Sequence, residues 1–420
     1  MKKWLACLVL LGMVFATACA GNSSQEEQDS GDSSSASEAT EISFIHWRGE
    51  DKEVFEDIIG QFEEENPDIT VEMNIYPSEQ YQSNAQQLLR DGSVGDVFTS
   101  FPGSQFEAMK EADLFTDLSN EDFVSKFSEG SIGIGQADGK QLAIPYQLVF
   151  NMPVYNKGMF EELGLEVPKS WSEYQEMAAT LIENDIVPVA FPGADIGPNQ
   201  TMNSMMMNNS EEGVFKKLES GEESLTNDWW VKTLKDFEYF NENGYFQENA
   251  LGTNQDSAMQ MVADEEAAML ATGSYHMASL KDLNPDLKLG LLPPITVPES
   301  EAEFEGIHTA TFMLAINKKS EKKEAARKFI DFLSEPEIAS QYANGTGQHL
   351  TVKDVEYESE ELKNTAHWIT DKNTRFQPRY FITEAAVEDA VLGSIENVLG
   401  GASPEDAAAE AQQIVEENIE

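Results

Sequence analysis

Apolar residues recur in two rhythms along this chain. Glu41 to His46 reads as a strand, and Val54, Phe55, Ile58, Ile59 and Phe62 then fall on one helical face, with Asn66 and Pro67 as the stop. Ile69, Val71, Met73 and Ile75 alternate as a strand does. Tyr81, Ala85, Leu88 and Leu89 predict a second helix, and Val94 to Thr99 a short strand. Strand, helix, strand, helix, strand at this cadence implies an open α/β sheet.

The pattern resets after Gly139. Leu142 to Pro145 and Leu148 to Tyr155 read as extended, and Met159 to Leu163 as a short helix closed by Gly164. Ser170 and Glu173 form a capping box for a helix carrying Tyr174, Met177 and Leu181. Strands are expected at Ile186 to Phe191, Ala267 to Ala271, Lys288 to Leu292 and Thr311 to Ile316. Between and after them come helical patterns over Asn199 to Phe246, Tyr275 to Leu283, Glu321 to Leu333, Ile382 to Val398 and Pro404 to Ile419. Trp229 and Trp230 are adjacent, so only one is expected to face inward. The methionines Met205 to Met207 read as helix packing.

The N-terminus follows other rules. Lys2 and Lys3, an apolar run from Trp4 to Phe15, and small residues before Cys19 read as an export signal over 1–18. Ala16-Thr17-Ala18-Cys19 resembles a lipoprotein processing site, which implies acylation of Cys19 with fatty chains such as palmitate. Two or more chains hold a protein on a membrane face. Residues 19–40 then read as the lipidated cysteine and a polar, flexible tether. Cys7 lies in the leader, so the mature chain has no second cysteine for an internal disulfide.

Roughly 380 folded residues exceed what one core ordinarily serves, so two domains are expected. With no linker between them, the chain must cross more than once, and such crossings make a hinge with a cleft. Asp and Glu number 76 against 27 Lys and Arg, for a formal charge of -49, which argues against nucleic acid as a partner.

Candidate chemistry is sparse. His46, His276, His308, His349 and His367 show no ligand spacing, so neither a metal nor another cofactor is expected. Among 76 carboxylates a pair carries no information about acid/base work, and neither a nucleotide loop nor a serine elbow is present. Aromatic residues beside turns stand out: Trp47, Phe101, Tyr146, Trp229, Trp230, Tyr275, Trp368, Phe376, Tyr380 and Phe381. A sugar ring offers an apolar C–H face for stacking and a rim of hydroxyls for acids, amides and arginines. Taken singly, such aromatics also serve as ordinary core.

From Ile42 onward the chain resembles the extracellular solute-binding family of ABC importers that includes maltose-binding protein. The resemblance is carried by EDIIGQFEEENPDITVEM ending at Met73, GKQLAIPYQLVFNMPVY from Gly139, YNKGMFEELGLEVPKSWSEY from Tyr155, AMLATGSYHMA from Ala268 and FMLAINKKSEKKEAARKFIDFL from Phe312. It implies an α/β, two-lobed periplasmic-binding-protein-like fold of type II, its lobes joined by crossing hinge segments. The lobes would be 41–147 plus 308–346 and 148–307 plus 347–420. Crossings would fall near Gln147 to Asn151, Ile307 to Thr311 and Asn344 to His349.

The resemblance also implies a function: capture of a sugar or oligosaccharide by hinge closure and delivery to the transmembrane subunits of an ABC permease. The protein would be a non-catalytic, lipid-anchored monomer on the extracytoplasmic face of the membrane. Residues implied to face the ligand are Trp47, Arg48, Glu50, Ser100, Phe101, Ser104, Tyr146, Phe191, Trp230, Tyr275, Trp368, Arg375, Phe376 and Tyr380. Tyr275 stands where the family usually has tryptophan, so it offers a smaller platform with an added hydroxyl. Alternatives are a receptor for a non-sugar solute, a lipid-anchored glycosidase, and a structural surface protein.

Overall fold

The computed structural model describes residues 39–419. The leader, Cys19 and nearly all of the tether lie outside the described residues.

Among the described residues, beside a small hairpin over Gln136–Ala137 and Lys140–Gln141, eleven strands build two large sheets. In chain order they are β1 (Thr40–His46), β2 (Ile69–Ile75), β3 (Val97–Ser100), β4 (Ile144–Phe150), β5 (Val154–Asn156), β6 (Val187–Ala190), β7 (Ala267–Leu270), β8 (Leu289–Leu291), β9 (Gly306–Ile316), β10 (His349–Leu350) and β11 (Thr374–Phe376). The first sheet has the order β10-β4-β9-β3-β1-β2, with β11 also paired to β9, and the second has the order β8-β5-β7-β6. β1 runs parallel to β2 and β3, a pairing that needs the helical crossovers found between them. β9 returns antiparallel to both β3 and β4.

The predicted helix after β1 forms over Lys52–Glu65 and buries Phe55, Ile58, Ile59 and Phe62, ending at Asn66. Phe44, Phe55, Phe62, Phe312 and Phe329 interlock edge to face in the core of the large sheet. Ser170 caps the helix Trp171–Glu183 as expected, its hydroxyl accepting from the Glu173 N–H. Gly164 closes Lys157–Leu163 with φ +67°, a conformation that glycine adopts at no steric cost.

Some expectations need correction. The expected strand from Val94 begins only at Val97, because Gly95 still turns the chain with φ +69°. The continuous helical stretch from Asn199 to Phe246 is three helices, Gly197–Met205, Val214–Glu219 and Asp228–Glu242. Trp229 and Trp230 both lie in the core. Helices Ala385–Leu399 and Pro404–Asn418 both pack on Asp228–Glu242, so its buried arc is wide enough for adjacent positions.

The segments expected as crossings lie side by side: Thr311 pairs with Gln147, His308 with Phe150, and His349 with Leu148. At the far end β2 is an edge strand, and its Val71 N–H donates to the Glu63 carboxylate at 2.8 Å.

Candidate functional site

Parallel strands deliver their following loops to one edge of a sheet, which is where open α/β sheets build sites. Trp47 directly follows β1 and Phe101 directly follows β3, its parallel neighbour. Their rings consequently stack, centroids 3.8 Å apart and planes 21° apart. Phe312 of β9 and Tyr81 brace Trp47 from the side. In the second sheet β7 leads into the turn Ser274–His276, and β6 into a loop and then the first turn of helix Gly197–Met205, which carries Asn199 and Gln200. These loops and the 147–151 and 309–311 segments enclose a cavity of about 280 Å³.

Of the residues implied by resemblance, the structure brings Trp47, Arg48, Glu50, Phe101, Tyr275 and Tyr380 together on this cavity. A methyl group on Gly273 would lie 2.5 Å from the Tyr275 ring and 2.8 Å from Asn151 Oδ1, so glycine is what lets both pack there. Burial, followed by the neighbouring Tyr380 hydroxyl, raises the Tyr275 phenol above its usual range and keeps it a neutral donor.

The other implied residues sit elsewhere. Tyr146 is fully buried in the large-sheet core, where its hydroxyl donates to the Leu333 carbonyl at 3.0 Å. Phe191 packs on Phe246 in the second core, and Trp230 is fully buried, its indole N–H donating to Ser394 at 3.1 Å. Arg375 spends its guanidinium on the carbonyls of Met207, Ser210 and Glu211, so its fork binds backbone. Phe376 packs against His308 and Phe381. The Ser100 hydroxyl donates to the Phe101 carbonyl and Ser104 bonds Glu388. Trp368 lines a different cavity of about 510 Å³, larger but mostly apolar, with Tyr155, Leu291 and Phe304.

Sequence reasoning missed the polar lining: Gln147, Asn151, Asn199, Gln200, Gln255, His276, Thr309 and Arg379. A signal existed for part of it. Along β4 and just beyond, Gln147, Val149 and Asn151 alternate with Tyr146, Leu148 and Phe150. The first set lines the cavity and the second packs into cores.

The charges at this site are neutralised within the protein. Arg48 forks onto Asp51 at 2.6 and 2.8 Å and meets Glu50 at 3.1 Å. Tyr342 donates to Asp51 and accepts from Gln147, which closes a buried network beneath the cavity. Burial pulls the Arg48 guanidinium down, but Asp51 and Glu50 outweigh it and leave its pKa raised. Arg379 pairs with Glu388 at 2.8 Å. By contrast Asn151 Oδ1, Asn199 Oδ1, Gln200 Oε1, His276 Nδ1, Thr309 Oγ1 and Arg379 Nε are buried without a hydrogen-bond partner in the protein. Buried polar atoms are ordinarily satisfied, so a cluster of them on the residues of one cavity marks a wall with hydrogen-bonding capacity left for something else.

Buried histidines make the fold sensitive to acid. Burial lowers His46 and His276 from 6.5 to about 3, and His349 to about 4. For His46 the Asp51 carboxylate opposes this lowering and Arg48 adds to it. Below 6.5 the unfolded chain binds protons that the native chain does not, so each group withdraws stability as pH falls from about 6.5 toward its native value. The ceiling is about 1.4 kcal/mol per pH unit per histidine. We expect the His46 and His276 ring resonances to report neutral imidazole at pH 5 in proton NMR. Titration of either near 6.5 in the folded chain would refute this.

Comparison with known proteins places this geometry. The family model of the bacterial extracellular solute-binding protein matches residues 48–340. A multiple sugar-binding protein of Streptococcus mutans is 24% identical over 401 residues, covering 92% of this chain and 88% of that one. A sugar transporter from Bacillus licheniformis, solved in complex with stachyose, superposes with a TM-score of 0.74 at 19% identity, covering 89% of this chain and 98% of the other. RafE in complex with raffinose gives a TM-score of 0.72 at 20% identity, covering 90% and 99%. These structural likenesses agree with an α/β fold of two lobes. With the family model matching well over half its length, the chain belongs to the bacterial extracellular solute-binding proteins.

Proposed function

We propose that this solute-binding protein captures a neutral sugar or oligosaccharide in the 280 Å³ cavity and hands it to the transmembrane subunits of an ABC permease. The observation that carries the reading is the division of labour on the cavity wall. Charged groups are matched inside the protein, whereas amides, a hydroxyl and an imidazole are left unpaired beside the Trp47–Phe101 stack and Tyr275. That combination fits a ligand with C–H faces and many hydroxyls. A polyamine would need unpaired carboxylates and an anion an unpaired cation. Glu50, the one carboxylate among the described residues on the cavity, is tied to Arg48, which supports a receptor over a paired-carboxylate glycosidase.

The names of the Streptococcus mutans and Bacillus licheniformis proteins point to the same ligand class. In this reading the lobes are 41–147 with 308–346 and 148–307 with 347–420, hinged where β4, β9 and β10 run together. Closure excludes water and completes the hydrogen bonds, so the closed form is favoured by the ligand's own differential affinity. Acylated Cys19 holds a monomer at the outer face of the membrane. None of the helices among the described residues is long and apolar enough to cross it.

Calorimetric titration with glucose, galactose, raffinose and stachyose tests the reading. We expect saturable binding of at least one, and Tyr275→Ala or Trp47→Ala to weaken it by about tenfold or more. Silence across the panel from a folded chain would overturn the carbohydrate assignment.

A further inference from the structure

We propose that Glu388 is a positioning residue that clasps the two halves of the molecule together and aims Arg379 into the cavity, coupling ligand occupancy to closure. This rests on the reading that the cavity holds the ligand. Glu388 lies on helix Ala385–Leu399, whose Val387, Ala390, Val391 and Ile395 pack into the core with Trp230 and Phe246. One carboxylate oxygen accepts from Arg379 Nη1 at 2.8 Å. The other accepts from Ser104 Oγ at 2.5 Å. Ser104 opens helix Ser104–Glu111, whose Phe106 and Met109 pack instead with Phe98 and Met313 of the large sheet. A single side chain therefore spends its two oxygens on two different cores.

The backbone beside it shows the same close approach. Gly103 has φ +85°, and a methyl group there would stand 3.2 Å from the Ile382 carbonyl oxygen and 3.3 Å from Tyr380 Cα. The turn before Ser104 thus lies against the turn carrying Arg379 and Tyr380, close enough that even a methyl group would need its neighbours to give by a few tenths of an ångström. Arg379 itself is almost wholly buried, with a side-chain exposure of 6%, and its guanidinium lies over the Tyr380 ring at 4.9 Å. Nη1 is engaged by Glu388, the guanidinium also meets the Tyr380 side chain, and Arg379 as a residue lines the cavity. A ligand hydroxyl or ring oxygen that accepts from this guanidinium meets a group already fixed in place, so less rotamer freedom is lost on binding.

The two bonds of Glu388 differ in what opening does to them. Arg379 and Glu388 are nine residues apart and pack on the same core, so their pair persists when the halves separate. The Ser104 bond exists only when they are together. Charge-assisted bonds of this kind are among the stronger ones in proteins, so its loss is measurable.

The experiment uses the full chain as wild type, Ser104→Ala and Glu388→Gln, with thermal unfolding as the check on folding. Small-angle X-ray scattering reads closure, and raffinose calorimetry with stopped-flow kinetics reads coupling. We expect Ser104→Ala to enlarge the radius of gyration and to weaken raffinose about tenfold, mainly through faster dissociation. Glu388→Gln, which also releases Arg379, is expected to cost about a hundredfold. Radii equal to wild type in both variants overturn the clasp, as does unchanged raffinose affinity in both. If wild type binds no sugar of the panel, the carbohydrate reading falls. The scattering comparison still decides the clasp, because it needs no ligand: a larger radius in Ser104→Ala supports it and equal radii overturn it.

Discussion

Asp51→Ala is expected to lower the free energy of unfolding by about 3–5 kcal/mol, measured by urea denaturation. Asp51 is almost completely buried and accepts from Nε and Nη2 along one edge of the Arg48 guanidinium and from the Tyr342 hydroxyl. Its removal leaves a buried cation whose remaining partner, Glu50, is 43% exposed, and strands a phenol that Gln147 also uses. The size of the loss comes mainly from the unpaired charge left behind and much less from the net worth of the pair. A double variant, Arg48→Met with Asp51→Leu, is therefore expected to recover most of the stability. A loss under about 1 kcal/mol in the single variant would mean that water reaches Arg48 and that the network is not sealed.

Trp230→Ala is expected to cost a similar amount, about 3–5 kcal/mol, while leaving sugar affinity in the folded fraction within about twofold of wild type. Its ring is fully buried between Phe215 and Trp229, with the indole N–H on Ser394, and it does not line the cavity. Denaturation and calorimetry on one preparation separate the two effects. Abolished binding in a chain that still unfolds cooperatively would return Trp230 to the site and remove the 280 Å³ cavity from it.

Those two residues show where sequence legibility ends. Ile69 to Ile75 alternate and form a strand over those residues, because a half-covered strand prints its two faces on the chain. Ser170 with Glu173 gave a helix start because capping is local. Helix Pro336–Thr346 carried readable signals, a proline in its first turn and buried Ile338, Ala339, Tyr342 and Ala343, yet was not expected from the sequence. The site was harder because its partners are distant. Arg375 and Arg379 are four residues apart and chemically identical, yet one is consumed by carbonyls near residue 210 and the other faces the cavity beside Glu388. No local pattern distinguishes them. Trp47 and Trp230 pose the same difficulty, since an aromatic ring serves a core and a sugar face through the same apolar area. What was readable, the alternation through Gln147, Val149 and Asn151, separates cavity from core because one strand has a face in each.

The edge strand β2 has a consequence of another kind. An unpaired strand edge is a template on which a second chain can add itself, donor to acceptor. Here the outward Val71 N–H is already taken by Glu63, so an incoming carbonyl oxygen at that rung meets a carboxylate in place of a hydrogen. The guard is intramolecular and costs no residue of the strand itself. At that rung the open edge of the sheet is closed to a second copy of the chain.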